Sequence, residues 1–252
     1  SGGGSGGGSG GGSGGGSGGG SGGGSGGGSG GGSGGGSGGG SGGSGGGSAF
    51  SCGSPLVDPR DSQTYATVAI GAQCWMAQNL NHGTMIPAVT WQSNNSQVEK
   101  WCYTDVQSNC GSYGGLYQWD EMMDYSPSDG GNPSTTQGIC PAGWHVPSDP
   151  EWKTLEMQLG MTQALADQIN QWRGAPAGTA LKVGGTSGYE ARLSGRCAGG
   201  TCSLLTQYEF MHAATEFGAM GWRRCLQTGS AAVGRFNTFP KSWGLSVRCV
   251  LD

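Results

Sequence analysis

Charge is scarce in this sequence. Lys, Arg, Asp and Glu make up 11% of its 252 residues, against about 25% in ordinary globular domains. The formal net charge is only −4, which argues against a strongly basic nucleic-acid-binding surface. Long apolar runs are missing as well. None approaches the ~20 residues of a membrane-spanning helix, so no membrane span is expected. No secretory leader pattern opens the chain, which therefore reads as mature or truncated. Histidine occurs three times, at His82, His145 and His212. Outside the Ser/Gly repeat there is no HExxH, phosphate-loop or GxSxG motif. No CxxC pair of the kind that holds zinc is present either, and the cysteine spacings leave zinc a distant second reading for any of them.

What is abundant is glycine, with 59 residues, 35 of them in residues 1–47. Residues 1–48 contain only Ser and Gly, and residues 1–40 are ten SGGG units. Such a segment has no side chain to bury and loses maximal backbone entropy on ordering. Two readings stand open. One is a flexible linker with a root-mean-square span of roughly 35–40 Å. The other is a shaft, in which extended threefold helices of glycine-rich chains pack side by side because no Cβ keeps them apart.

The remaining 204 residues, 49–252, hold all 28 charged residues, nine Trp and nine Cys. Their apolar content is about 41%, enough for one domain with a real core. Nine cysteines without metal spacing read as disulfides made in an oxidising compartment. Cys102 and Cys110 bracket a short polar loop, and Cys197 and Cys202 bracket Ala-Gly-Gly-Thr; both are expected to form local bridges. The expected remaining pairs are Cys52–Cys74 and Cys140–Cys249. The last would close a long loop worth about 4 kcal/mol in the chain-entropy treatment. Cys225 is then odd: a buried free thiol, an intermolecular link, or a chance occupant of a variable position.

Local patterns give a coarse outline. Residues 62–70 alternate and are rich in Thr, Val and Tyr, which predicts a strand after the Asp58-Pro59-Arg60-Asp61 turn. Cys74 to Leu80 is expected to pair with it. Ser148-Asp149-Pro150-Glu151 is a capping box with Pro in the first turn, so a helix is predicted near 149–160, ended by Gly160. A second helix is expected over 162–172, with Leu165, Ile169 and Trp172 on one face. The alternation of Leu245 to Val250 predicts a closing strand. Two helices and many short antiparallel strands, with long disulfide-held loops, make an α+β domain. Charge divides unevenly: residues 49–172 carry net −9 and residues 173–252 net +5. Internal complementarity, head-to-head association and a mildly basic binding face all fit that division.

Few residues suggest chemistry. Asp120, Glu121 and Asp124, with Met122 and Met123, read as a solvated helix face rather than paired catalytic carboxylates. Cys225 is the only cysteine left over for a Cys–His hydrolase, and an enzyme is not expected. No cofactor is expected. Calcium would have to draw on Asp58, Asp61, Asp105 or Asp129, and no local run supplies its usual 6–8 oxygens.

Several motifs resemble one family. Gln73-Cys74-Trp75-Met76-Ala77-Gln78-Asn79-Leu80-Asn81 resembles the signature of the Fibrobacter succinogenes major paralogous domain. So do Tyr113-Gly114-Gly115-Leu116-Tyr117-Gln118-Trp119, then Cys140 to Ser148 (CPAGWHVPS) and Glu151-Trp152-Lys153-Thr154-Leu155. Lys241 to Cys249 (KSWGLSVRC) is similar to the family's ending. Gln78 in place of Glu, Trp243-Gly244-Leu245, and the Asp58–Asp61 turn depart from the usual pattern.

The resemblance implies a secreted or surface-displayed bacterial module with a C-type-lectin-like fold. Some members head pilin-like proteins. Others resemble variable proteins diversified by retroelements, whose C-terminal scaffold exposes hypervariable positions. By that resemblance Trp75, Trp119, Trp144 and Trp152 are core, and His145 is packed or hydrogen-bonded. Trp91, Trp222 and Trp243 are expected to be exposed. The stretch Gly221–Lys241 is the implied ligand surface, through Trp222, Arg223, Arg224, Gln227, Arg235, Asn237, Phe239 and Lys241. The implied partner is a cell-surface glycan or protein, with adhesion or display as the function. The alternative is a structural subunit that joins copies of itself in an extracellular filament through the glycine-rich segment.

Overall fold

The computed structural model describes Gly2 and residues 50–252. The linker and shaft readings of residues 1–48 lie outside the described residues. Within 50–252 the fold is mixed α and β, with short helices, several small sheets and four disulfides.

Ser148 begins the longest helix, Asp149–Gln158. The Ser148 hydroxyl accepts from the Glu151 backbone N–H, and Glu151 Oε2 accepts from the Ser148 N–H at 2.7 Å. These reciprocal bonds satisfy two of the donors that a helix start leaves open. Trp152 and Leu155 of this helix are fully buried.

The second predicted helix is corrected. Only Gln163–Ala166 is helical, capped by the Thr162 hydroxyl. Asn170 turns the chain with φ +56°, and Gln171–Arg173 becomes a strand. That strand pairs with Val233–Arg235 at the edge of a four-stranded antiparallel sheet. The pairing, and the burial of Arg173, outweigh a helical periodicity whose Ile169 is left 53% exposed.

The rest of this sheet is Tyr208–Phe217, Met220–Gln227 and Val233–Phe236, hydrogen-bonded in that order. A second sheet places Gln73–Met76 between Thr67–Ile70 and Val250–Leu251. Side chains alternate across a strand, so Trp75 enters one apolar cluster while Cys74 and Met76 enter another. Trp75 packs on Trp152 with ring centroids 4.8 Å apart, and Tyr189 meets both edge-on. The predicted closing strand is shorter than expected. Leu245, Ser246 and Val250 each bridge a different segment, at Tyr117, Met211 and His145. Ser246 and Arg248 are buried along with Leu245 and Val247, so the alternation does not mark a solvent face.

The bridges are Cys52–Cys74, Cys102–Cys110, Cys140–Cys249 and Cys197–Cys202, the pairs expected from the sequence. Cys225 is a buried free thiol. The hairpin Arg196–Ala198/Thr201–Ser203 turns on Gly199 and Gly200, both at positive φ. A two-residue hairpin turn of that kind suits glycine, and a Cβ on Gly200 would also meet Val89 at 2.8 Å.

Candidate functional site

Most of the implied ligand stretch is inside the protein. Trp222, Arg223, Arg224, Arg235 and Asn237 are buried, and only Gln227, Phe239 and Lys241 of the eight residues are partly exposed. The expectation of a freely exposed surface is corrected for the first five. Strand geometry explains the division. Successive residues of Met220–Gln227 point to opposite faces, so Arg224 faces the Asp149–Gln158 helix and Arg223 faces away from it.

On the helix side five charged groups form one buried cluster. Arg224 donates from Nη1 to Asp149 Oδ1 at 2.7 Å and from Nε to Glu156 Oε1 at 2.6 Å. Arg235 grips both Asp149 oxygens, at 2.7 and 2.9 Å. Arg173 donates from Nη2 to Glu156 Oε2 at 2.6 Å. Burial pushes the Asp149 carboxyl up, but Arg224 and Arg235 outweigh it and hold the group well below the usual carboxylate range. Arg224 and Arg235 face each other across adjacent strands, an arrangement that would repel without Asp149 between them. Arg224 is 0% exposed and is a structural residue, as is Arg235 with its guanidinium 4.0 Å from the Trp222 ring.

On the opposite face lies an aromatic cluster with Phe210, Cys225 and Leu245 at its base and Phe236, Phe239 and Trp243 over it. Arg223 stacks 3.2 Å from the centre of the Phe239 ring, and Arg196 stacks 3.9 Å from that of Trp243. His212 stands on this same face. Burial pushes it down to about 4, against its bond to the Tyr117 carbonyl.

Beside this cluster, residues Pro240–Ser242 form a wall of a cavity of about 350 Å³. Trp91, Gln92, Gln118, Asp120, Tyr125 and Lys241 line it. Trp91 is 64% exposed and, with Ser242, also borders a second hollow of about 210 Å³. That hollow is floored by Trp101 and edged by Ala88, Val89 and the Gly199-Gly200 turn. The rim is rigid: Gln92 and Gln118 exchange side-chain-to-backbone bonds at 2.9 and 2.6 Å, and Gln118 Nε2 donates to the Ser242 carbonyl at 2.8 Å. Lys241 pairs with Glu216 and lies 3.9 Å from the Trp119 ring centre. Of the tryptophans expected to be exposed, Trp91 is, Trp243 is half-buried and Trp222 is buried. Trp75, Trp119, Trp144 and Trp152 are all core residues.

The acidic stretch next to this cavity is a further correction. Met122 and Met123 are fully buried, and Glu121 is buried rather than solvated. Glu121 accepts from the Glu99 backbone N–H at 2.7 Å and the Tyr125 hydroxyl at 2.8 Å, while burial pushes its carboxyl up. Asp120 and Asp124 are exposed.

Metal-binding groups gather in two places among the described residues. Asp58, Asp61 and His82 bring donor atoms within 4.8 Å of one another, as do His145, Glu151 and Asp252. In the first, Arg60 already occupies Asp58 and His82 bonds Asp61 at 2.7 Å. Two aspartates and an imidazole fall short of the oxygens that calcium takes. The other aspartates weighed for calcium are used locally. Asp105 accepts from Ala88 N–H, and Asp129 accepts from Gly131 N–H and Thr135 N–H. In the second group His145 Nε2 is 2.6 Å from Glu151 Oε1, the hydrogen-bonded role expected of it.

The motif residues are largely structural. Asn79 in the first motif accepts from Arg248 Nε in the last at 2.8 Å and donates to Glu209 at 2.7 Å. The sequence pointed to Trp91 as exposed but not to the cavity beside it, whose walls come from four segments far apart in the chain: 91–92, 118–125, Ala219 and 240–242.

A family model described as the Fibrobacter succinogenes major domain matches residues 68–251. Neither the curated proteins nor the solved structures include a match to the chain.

Proposed function

The chain belongs to the Fibrobacter succinogenes major domain family, and on that premise we propose that it is a secreted or surface-displayed, non-enzymatic recognition module. Four disulfides fit an extracellular setting. The proposed fold type is C-type-lectin-like: small sheets and few helices holding long loops by covalent bridges. The proposed role is adhesion to, or display toward, a cell-surface glycan or protein.

One observation carries this reading. A large aromatic side chain, Trp91, stands in solvent at the common wall of two hollows, on a rim that buried hydrogen bonds hold in place. Isolated apolar side chains on a surface are ordinary, but an exposed Trp between one largely apolar hollow and one that mixes polar and apolar groups is the arrangement that recognition uses. Lys241 is the residue of the implied ligand stretch that lines this cavity. The buried arginine cluster and the disulfides supply rigidity, and loops on a rigid scaffold are where binding residues concentrate.

The test is binding of the full chain to arrays of glycans and of cell-surface proteins. Trp91→Ala is expected to abolish the signal. Its melting temperature is expected to stay within about 2 °C of the parent, because a surface truncation changes stability by about 0.5 kcal/mol or less. Binding that survives Trp91→Ala, or no ligand on either array, sinks the proposal. Alanine at Trp222, Arg223 or Arg235 would not serve, since each is buried and its loss acts on folding.

A further inference from the structure

The eight arginines divide into two groups. Arg60, Arg173, Arg224 and Arg235 bond carboxylates, Arg248 bonds the Asn79 side chain, and Arg192 donates to the Ser112 carbonyl. Arg196 and Arg223 have no carboxylate or carbonyl partner among the described residues. Arg223 is 3% exposed and makes one side-chain bond, from Nη2 to the Thr238 hydroxyl at 3.1 Å. Its Nε and Nη1, and the Nε of Arg196, are buried donors without an oxygen or nitrogen partner among the described residues; beside Arg223 stands the Cys225 thiol, a weak acceptor. Buried donors are almost always satisfied, by protein, by water or by a bound group, and a buried cation without a counter-charge is costlier still.

The two guanidiniums also stand close together. Both lie against the Phe239 ring, Arg223 at 3.2 Å and Arg196 at 5.3 Å from its centre. Their neighbours bring no negative charge. The Cys225 thiol, pushed up to about 11 by burial against the pull of Arg223, is protonated at neutral pH. His212 is neutral there too. Two like charges therefore sit on one aromatic ring, in a low-dielectric setting, with free donors and no anion.

We propose that Arg196 and Arg223 form a binding site for a compact oxyanion, a carboxylate or a sulfate, carried by the ligand that this surface recognises. The inference rests on the recognition reading above and names the charge of the ligand. Arg196 is half-buried and sits on the hairpin whose Gly199-Gly200 turn edges the hollow under Trp91. Phe239 and Trp243 flank the Pro240–Ser242 wall of the larger cavity. The arginines are thus tied to both hollows through the chain, by the Gly199-Gly200 hairpin on one side and the Phe239–Trp243 segment on the other. Guanidinium donors match oxyanions in a planar fork, and stacking on Phe239 and Trp243 holds them ready for it.

The experiment titrates the full ¹⁵N-labelled chain with sodium acetate and, separately, with sodium sulfate. Sodium chloride keeps ionic strength fixed, and the Nε–Hε resonances of Arg196 and Arg223 are followed. Saturable shifts at both arginines with at least one of the two anions are expected, and the more effective anion identifies the group. Arg196→Gln is expected to weaken that binding at least tenfold, and Arg223→Lys, which keeps charge but loses the fork, to weaken it as well. No saturable shift with either anion, or shifts that chloride alone reproduces, overturns the site. Unchanged affinity in Arg196→Gln overturns it too. Array binding that depends on Trp91 without any anion shift leaves recognition standing and removes the oxyanion. Anion shifts with no array binding keep the arginine site and remove the recognition reading.

Discussion

Asp149 is the anion that two buried arginines share, and its replacement by Asn tests the account of residues 221–235 as interior. Asp149→Asn keeps size and the helix start but takes the negative charge from Arg224 and Arg235. Glu156 alone would then face three guanidiniums. Removing one partner of a buried ion pair costs about 3–5 kcal/mol, because the remaining charge stays desolvated. For a domain of about 200 residues each kcal/mol moves the melting temperature by roughly 2–4 °C, so a fall of roughly 6–20 °C is expected at pH 7. Thermal unfolding by circular dichroism, with the disulfides intact, reads it. Acid supplies a second arm. The folded carboxyl is held below its ordinary 3.8. Its contribution is therefore complete above about pH 4 and is lost as pH falls toward the folded value. The gap between parent and variant should narrow below about pH 4. A fall under about 2 °C at pH 7, or a gap that does not narrow in acid, would mean that Arg224 and Arg235 do not depend on the Asp149 charge.

Two further outcomes follow from buried titrating groups. His212 is pushed down to about 4 in the folded protein, while an unfolded histidine titrates near 6.5. The unfolded chain takes the proton first, so this residue lowers stability as pH falls from about 6.5 to about 4. His212→Gln should remove that part of the pH dependence of the urea midpoint, and parallel parent and variant curves would contradict it. Cys225 is buried with its thiol pushed up to about 11, so it should resist iodoacetamide at pH 8 until urea unfolds the chain. Rapid labelling of the native protein would show that it is accessible.

Legibility from sequence followed the range of the interaction. The capping box and the hairpin bridge between Cys197 and Cys202 depend on neighbours in the chain, and each stands in the structure as expected. The single strand expected over residues 62–70 is instead two short ones, Thr64–Tyr65 and Thr67–Ile70, which pair with different partners. Asp149 and Glu156 are seven residues apart on one helix, two turns and therefore one face. That spacing puts both carboxylates on one face, but nothing local shows that the face is buried or identifies its partners. Arg224 and Arg235 lie 75 and 86 residues from Asp149, and their burial depends on how the sheet meets the helix. Residues 162–172 show the converse case: helical periodicity was real in the sequence, but an open sheet edge took the segment from Gln171 onward.

By itself the sequence determined which residues make the framework. Trp75, Trp119, Trp144 and Trp152, set in motifs of one family, and eight cysteines expected to pair mark a covalently tied apolar interior, because cysteine content and side-chain volume are properties of the chain. Only the tertiary structure decided which polar residues face water. It turned Arg224 inward and left Trp91 outside. It set Arg196 beside Arg223 without a counter-charge, since burial and pairing are settled by segments far apart in the chain that meet only when the sheets dock.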